Sequence, residues 1–446
     1  MPDIDARLGR KFLTDTGWNF ASFAIMAATG VILNFFIAAH FGIATLGVFN
    51  QIYAVYVITG QVAVMGVNDS AQKHNAEFMD VKAERDLLSA TAIWLAAAIG
   101  LATAVAVYLA SETLGRVADS GAVGQGVLLA APGLAFFAVN KVLMGILNGR
   151  RRMKAFAAGQ AFRVTVILIC CFSVAALGLP GPALGASFSV AEILLTPVLI
   201  LILRPPIWGF AAGGRGRVWV EDHLRFGLKA LVNGFLVESY VRVDIIMLGI
   251  FVSDHAVGIY SFAALFIEGL YQVPVVVRTI ANPVLVRLLV STERTALVRF
   301  CRRTAGLGFA AFAAAASAVV VAYPYLAPFF PEGLVTGSHP LLMILAAGLA
   351  VYSVFIPLDY ILLQAGQPGR QSLLMTANVF INVALNLALI PFYGIWGAAV
   401  ATALAFTISS LNLNLAAWRW LGLRGGVLLG GAGPALPNSL DSGGRH

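Results

Sequence analysis

Nine ionisable side chains lie inside stretches that are otherwise apolar: Lys141, Arg163, Glu192, Glu238, Arg242, Asp244, Glu268, Arg278 and Asp359. A charge in hydrocarbon is costly, so such residues default to the interior of a helix bundle and to functional roles there. Arg242, Lys141, Arg163 and Arg278 are the cations, and a cavity lined by them would hold an anion. An arginine fork can grip two phosphate oxygens at once, which a lysine ammonium cannot. Glu238, Glu268 and Asp359 are the carboxylates that could exchange a coupling ion.

Spacing refines this set. Glu238 and Arg242 are four residues apart and share one helical face. They form either a structural pair or a ligand site whose carboxylate is displaced or titrated during a cycle. Asp244 is rotated about 240° from Glu238 and faces elsewhere. Lys141 and Arg163 each lie about eight residues from the basic end of their stretch, roughly 12 Å deep. They either snorkel to the interface or form a basic pair at the inner mouth of a cavity. Arg278 has the same two readings. Glu268 shares a face with Gln272, as interhelical glue or as a proton site. Asn378, Asn382 and Asn386 recur at four-residue steps as a polar stripe, which bridges helices or lines a cavity. Asn19 and Asn34 fall on nearly one face of the first apolar stretch, and Gln51 and Gln61 add polarity to the second.

These residues need long apolar elements to place them. Of 446 residues, 59% are hydrophobic and 11% charged, against about 45–50% and about 25% in a soluble domain. That composition excludes an ordinary soluble enzyme, a disordered chain and a nucleic-acid binder. It predicts an all-α polytopic membrane protein. Twelve spans are expected, near 15–39, 45–67, 87–110, 126–148, 155–178, 183–203, 226–251, 255–280, 304–327, 340–364, 372–391 and 394–418. The polar start leading into the first run reads as a retained span, because the run is too long for a signal peptide. Asp69 to Asp86 reads as a solvated interfacial helix.

Basic residues mark the cytoplasmic side of a membrane. Alternate connecting segments, with Lys229 just inside span seven, hold 24 of the 29 lysines and arginines, and the opposite set holds only Arg116. Both termini are therefore expected in the cytoplasm, and the net charge of +8 is mainly a topology signal. The three cysteines and six scattered histidines predict no disulfide and no metal site. No P-loop is present, and no connecting segment is large enough to carry a catalytic domain.

The halves repeat weakly. Phe41-Gly42 leading to Leu46-Gly47-Val48-Phe49 parallels the stretch leading to Val257-Gly258-Ile259-Tyr260, and Gly185-Ala186 parallels Gly397-Ala398. Equal orientation of the halves implies a parallel repeat of two six-helix bundles, with a substrate path near mid-membrane between them. The expected organisation is 1–203 as the first bundle, 204–225 as a cytoplasmic linker, 226–420 as the second bundle and 421–446 as a flexible tail.

Four local patterns carry a resemblance. They are the Phe41–Phe49 hairpin, Gly66-Val67-Asn68 before a polar helix, Asn148-Gly149-Arg150, and Asn378 through Tyr393-Gly394-Ile395-Trp396-Gly397-Ala398. With the twelve spans, the chain resembles a polysaccharide flippase of the multidrug/oligosaccharidyl-lipid/polysaccharide exporter superfamily, the Wzx type. The resemblance implies movement of an undecaprenyl-diphosphate oligosaccharide across a bacterial inner membrane by alternating access, for surface polysaccharide such as O-antigen, capsule or exopolysaccharide. It implies no cofactor. Membrane lipids, polysaccharide-assembly proteins and H+ or Na+ would be the partners. Lipid II flippase relatives carry arginines in their first two spans, and this chain has none there after Lys11. A multidrug or cation antiporter of the same fold is the alternative, and a membrane-embedded polymerase a more distant one.

Overall fold

A computed structural model describes residues 2–205, 214–290, 294–423 and 425–429. Those residues are mostly helical, and no strand occurs among them. The order is α1 (Pro2–Phe41), α2 (Ile43–Val64), α3 (Val67–Glu77), α4 (Lys82–Val117), α5 (Gly121–Ala130), α6 (Gly133–Gly149), α7 (Met153–Ala176), α8 (Ala186–Leu203), α9 (Gly214–Phe251), α10 (Asp254–Val290), α11 (Arg294–Ala322), α12 (Leu334–Ser353), α13 (Ile361–Gln364), α14 (Pro368–Leu421) and α15 (Gly426–Leu429). Short 3-10 turns at Gly181–Gly185, Tyr323–Phe329 and Ile356–Leu358 each begin around a proline.

Among the described residues nine helices are long and apolar enough to cross a membrane, or ten if α5 and α6, bent by 48°, count as one span. Two features separate this from the expected pattern. In α9, Glu238, Arg242 and Asp244 crowd the expected seventh span and lower its apolarity. The expected spans eleven and twelve are joined in the 54-residue α14. A break sits inside it at Gly394, with φ 54° and ψ −131°, a conformation that side chains disfavour.

Other boundaries differ for local reasons. The expected helix from Asp69 to Asp86 is two elements, because α3 ends at Glu77 and α4 starts at Lys82. It is also not simply a solvated face, since Ser70, Ala71 and Asn75 are buried. The expected tenth span does not run unbroken to 364. Its helix stops at Ser353, and a 3-10 turn containing Pro357 intervenes, since proline cannot continue the hydrogen-bond ladder. In the expected tail, Gly426–Leu429 form a helical turn in which Val427 is fully buried and Leu428 accepts a bond from Arg302. The rest of the tail beyond 429 lies outside the described residues. So do residues 206–213 of the expected linker, whereas 214–225 already belong to α9.

The chain divides into two compact units, 1–258 and 259–446. The first unit includes α9, which packs along α2, α3 and α4. Glycines make close approaches possible beyond one end of α2, to α9, and at its other end, to the start of α10. A Cβ on Gly66 would strike the Gly227 carbonyl, and one on Gly227 would strike the Met65 carbonyl. At the other end, a Cβ on Gly47 would strike the Asp254 carbonyl and the Gly258 backbone nitrogen, while one on Gly258 would strike the Ile43 carbonyl. The two glycines that suggest equivalent repeat positions are thus in contact with each other. Asp254 reinforces this end, accepting bonds from Gln51 at 2.8 Å and Ser120 at 2.6 Å.

At the opposite end, α9 continues past α3 and α4 on buried polar contacts. His223 meets Ser70 at 2.8 Å and the Leu88 carbonyl at 3.1 Å. Trp219 donates to Glu84, which also pairs with Arg215. Burial holds His223 neutral, with its pKa lowered to about 4.

Candidate functional site

In the first unit, α2 places Phe49, Tyr53 and Tyr56 at i, i+4 and i+7, on one helical face. Phe188 of α8 stacks on all three, with ring centroids 5.4, 5.6 and 5.0 Å away. Tyr56 then meets Phe137 of α6 edge-on at 5.7 Å. The result is a continuous aromatic ladder, and three cations lie on its faces. Arg242 sits 4.4 Å above Tyr53. Lys141 and Arg163 lie 5.5 and 5.4 Å from the Phe137 centroid. A cation over a ring face is attracted by the ring quadrupole, and more strongly when water is excluded.

The three cations are neutralised unequally. Arg163 makes a 2.7 Å ion pair with Glu192, whose side chain is 3% exposed. Asn140 donates to the same carboxylate at 2.7 Å, and Thr196 donates to Asn140 at 2.9 Å. Arg242 makes a long 3.9 Å contact to Glu238. Lys141 lies deep in the unit, within electrostatic reach of Arg163, Glu238, Glu192 and Asp69. Among the described residues, no carboxylate comes within ion-pairing distance of it, and its close contact is the Phe137 ring.

The second unit holds a different arrangement. Arg278 of α10 donates to Asp359 at 2.7 Å, and both side chains are largely buried. The guanidinium stacks 4.3 Å from the Tyr360 ring. The break after α12 makes this possible, because it turns Asp359 and Tyr360 toward one arginine. Gln371 donates to the Asp359 carbonyl at 3.0 Å and braces the turn.

Lys141 and Arg163, expected at similar depth, share one ring. Glu238 and Arg242 share a face, as their spacing requires. Asp244 is buried on the same helix. Arg278 and Asp359, expected as a cavity cation and an ion-coupling carboxylate, are bound to each other. Glu268 is half-buried on α10. The asparagines act between and along helices. Asn50 donates to Asn34 at 3.1 Å, joining α2 to α1. Asn412 donates to Asn378 at 2.9 Å, joining the two arms of α14. Asn386 donates to Asn382 at 2.7 Å, and both are buried. The side chain of Asn19 lies outside the described residues. Nothing in the sequence pairs Arg163 with Glu192 or stacks Tyr53 on Phe188. The i, i+4, i+7 aromatic spacing on α2 is the signal that points to the ladder. No group of three metal-binding side chains occurs among the described residues.

Comparison with known proteins fits this architecture. The chain is 28% identical over 182 residues to a probable flippase, AglR, of Haloferax volcanii; the match covers 39% of this chain and 37% of that relative's length. Among solved structures, an inward-facing multidrug resistance MATE family transporter of the MOP superfamily superimposes with a TM-score of 0.74 at 12% identity, covering 91% of this chain and 99% of the other. The lipid II flippase MurJ in an inward closed conformation superimposes with a TM-score of 0.71 at 16% identity, covering 90% and 87%. These likenesses show a shared multi-pass membrane fold. Residues 12–289 match the family described as polysaccharide biosynthesis protein, and the chain belongs to that family.

Proposed function

We propose that this protein is a flippase that carries an undecaprenyl-diphosphate-linked oligosaccharide from the cytoplasmic to the outer leaflet of a bacterial inner membrane, for surface polysaccharide assembly. The observation that carries the reading is the cationic aromatic ladder, above all Lys141, a deep ammonium that no carboxylate among the described residues pairs. An ammonium largely removed from water without a directly paired carboxylate is unfavourable. A transient anionic ligand would relieve it. The diphosphate supplies charge for Lys141, Arg163 and Arg242, and the aromatic faces suit sugar rings. The polar side chains along the spans suit hydroxyls.

In this reading α5 and α6 form one span, α14 forms two, and the charged α9 is a span. That gives twelve, arranged as two six-helix bundles in a parallel repeat with both termini in the cytoplasm. An inside-negative potential drives an anion outward by about 2.3 kcal/mol per charge per 100 mV. Exchange of H+ or Na+ at Glu238 or Glu268 would add to this drive. A cation exporter would favour carboxylates, whereas this ladder presents positive charge.

The test is deletion and reconstitution. Loss of the protein should leave lipid-linked sugar on the cytoplasmic face. In proteoliposomes a labelled polyprenyl-diphosphate oligosaccharide should change leaflet, and Lys141→Gln should slow it about tenfold or more. Unchanged leaflet distribution together with normal surface polysaccharide would sink the reading.

A further inference from the structure

Glu192 lies within electrostatic reach of Lys141 yet does not pair with it. The contacts of Glu192 show why. Glu192 and Thr196 stand four residues apart on α8 and turn one face to α6. Asn140 and Lys141 are consecutive on α6, about 100° apart around the helix. Asn140 therefore reaches α8, while Lys141 lies over the Phe137 ring one turn back.

Both oxygens of the Glu192 carboxylate are engaged. Oε1 lies 2.7 Å from the Arg163 Nε. Oε2 accepts from the Asn140 amide at 2.7 Å and from the Arg163 Nη2 at 3.4 Å. The same amide donates to the Glu192 carbonyl at 2.9 Å, and its own oxygen accepts from the Thr196 hydroxyl at 2.9 Å. A carbonyl and a carboxylate only accept, so the NH2 of Asn140 must face them and its oxygen must face the hydroxyl. The amide is thus fixed on three sides. Tyr56 gives a second sign that the carboxylate is restrained. Its hydroxyl is buried without a hydrogen-bond partner among the described residues, although Glu192 is within electrostatic reach. A carboxylate free to turn would be drawn to that donor, since a buried unmatched donor is costly.

We propose that Asn140 and Thr196 are positioning residues that clamp Oε2 of Glu192 on the Arg163 side and so hold it off Lys141. Without the clamp, Oε2 is free to bridge Arg163 to Lys141, whose long flexible stem lets the ammonium meet it. The clamp is what keeps the ammonium available to an anion. Its value for the cargo diphosphate rests on the flippase reading, whereas the placement of Glu192 does not.

The test uses the full chain in phosphatidylcholine nanodiscs with two readouts. Reductive methylation followed by peptide mass spectrometry reports on Lys141 with no ligand present. Asn140→Leu should slow it about fivefold, because an ammonium paired to a carboxylate is held protonated and reacts poorly. Titration with inorganic diphosphate reports on the ladder. Asn140→Leu should weaken binding about tenfold and Thr196→Val about threefold. In a Lys141→Gln background both losses should shrink to within about twofold, because the freed carboxylate has no ammonium to cancel. A purely structural role would weaken binding equally in either background. The proposal is overturned if Asn140→Leu methylates like wild type, or if its binding loss is undiminished in the Lys141→Gln background. Should Asn140→Leu fail to fold, Thr196→Val decides on the same two readouts. Clamp-dependent methylation in a protein that binds no diphosphate would defeat the reading of the ladder as a cargo site and leave the clamp standing.

Discussion

The two units each bury arginine beside an aromatic ring, and they treat its charge differently. In the second, Arg278 has Asp359 at 2.7 Å and Tyr360 against its face. That site is closed, because acid, base and ring satisfy one another. In the first, Glu192 is committed to Arg163 and Asn140, Glu238 stands 3.9 Å from Arg242, and Lys141 rests on a ring. A closed pair holds helices together. A cation held by a ring quadrupole stays available to a stronger anion. On the proposed function, the contrast separates a structural charge from one that a ligand would meet.

The largest test removes one partner at each site. Asp359→Ala strands a buried guanidinium and should cost about 3–5 kcal/mol of stability. Thermal unfolding of the purified protein in detergent would register it. Lys141→Met should leave stability equal or higher while transport falls, because no ion pair is broken. Equal destabilisation by the two would make Lys141 structural and erase the contrast.

Acid should next distinguish the units. His223, in the first unit, has a folded pKa lowered by burial to about 4, against an ordinary value near 6.5. His74 and Asp222 are the titratable groups that act on it. The neutral form is favoured in the fold, so its contribution is complete above about pH 6.5. It is lost as pH falls toward 4, by up to about 3 kcal/mol. Hydrogen exchange near Ser70 and Leu88 should rise over that window. His223→Gln should flatten the dependence, and an unchanged slope in that variant would refute the assignment.

The smallest effect concerns the rings. Tyr53→Leu removes the face under Arg242, worth about 1 kcal/mol, and should weaken cargo affinity about fivefold. Tyr360→Leu should leave affinity within about twofold, since Arg278 keeps its carboxylate. Similar losses in a cargo-binding titration would show that the rings do not differ in role.

Much of this architecture is legible in the amino-acid sequence. The apolar runs mark most helices because transfer of a side chain to hydrocarbon depends on local composition. Counting residues from a basic boundary puts Lys141 and Arg163 at one depth, and Phe137 lies beside both. The harder elements are those where one local rule competes with another. α9 is a membrane-length helix with four charges, Lys229, Glu238, Arg242 and Asp244, in its expected span. α12 ends at Ser353 because of the turn around Pro357, within a stretch that hydropathy alone extends to 364.

Composition and spacing therefore settle the class of protein, the depth of its charges and the aromatic face of α2, since each depends on residues close together along the chain. They cannot choose partners. Arg163 finds Glu192 29 residues away and Arg278 finds Asp359 81 residues away. Gly47 meets Gly258 only because both lack a Cβ at the point where two helices touch. Which helices become neighbours is decided by the close fit of small residues along whole faces. That fit, established only in the folded chain, determines which charges are cancelled and leaves Lys141 on a ring face, without a paired carboxylate among the described residues.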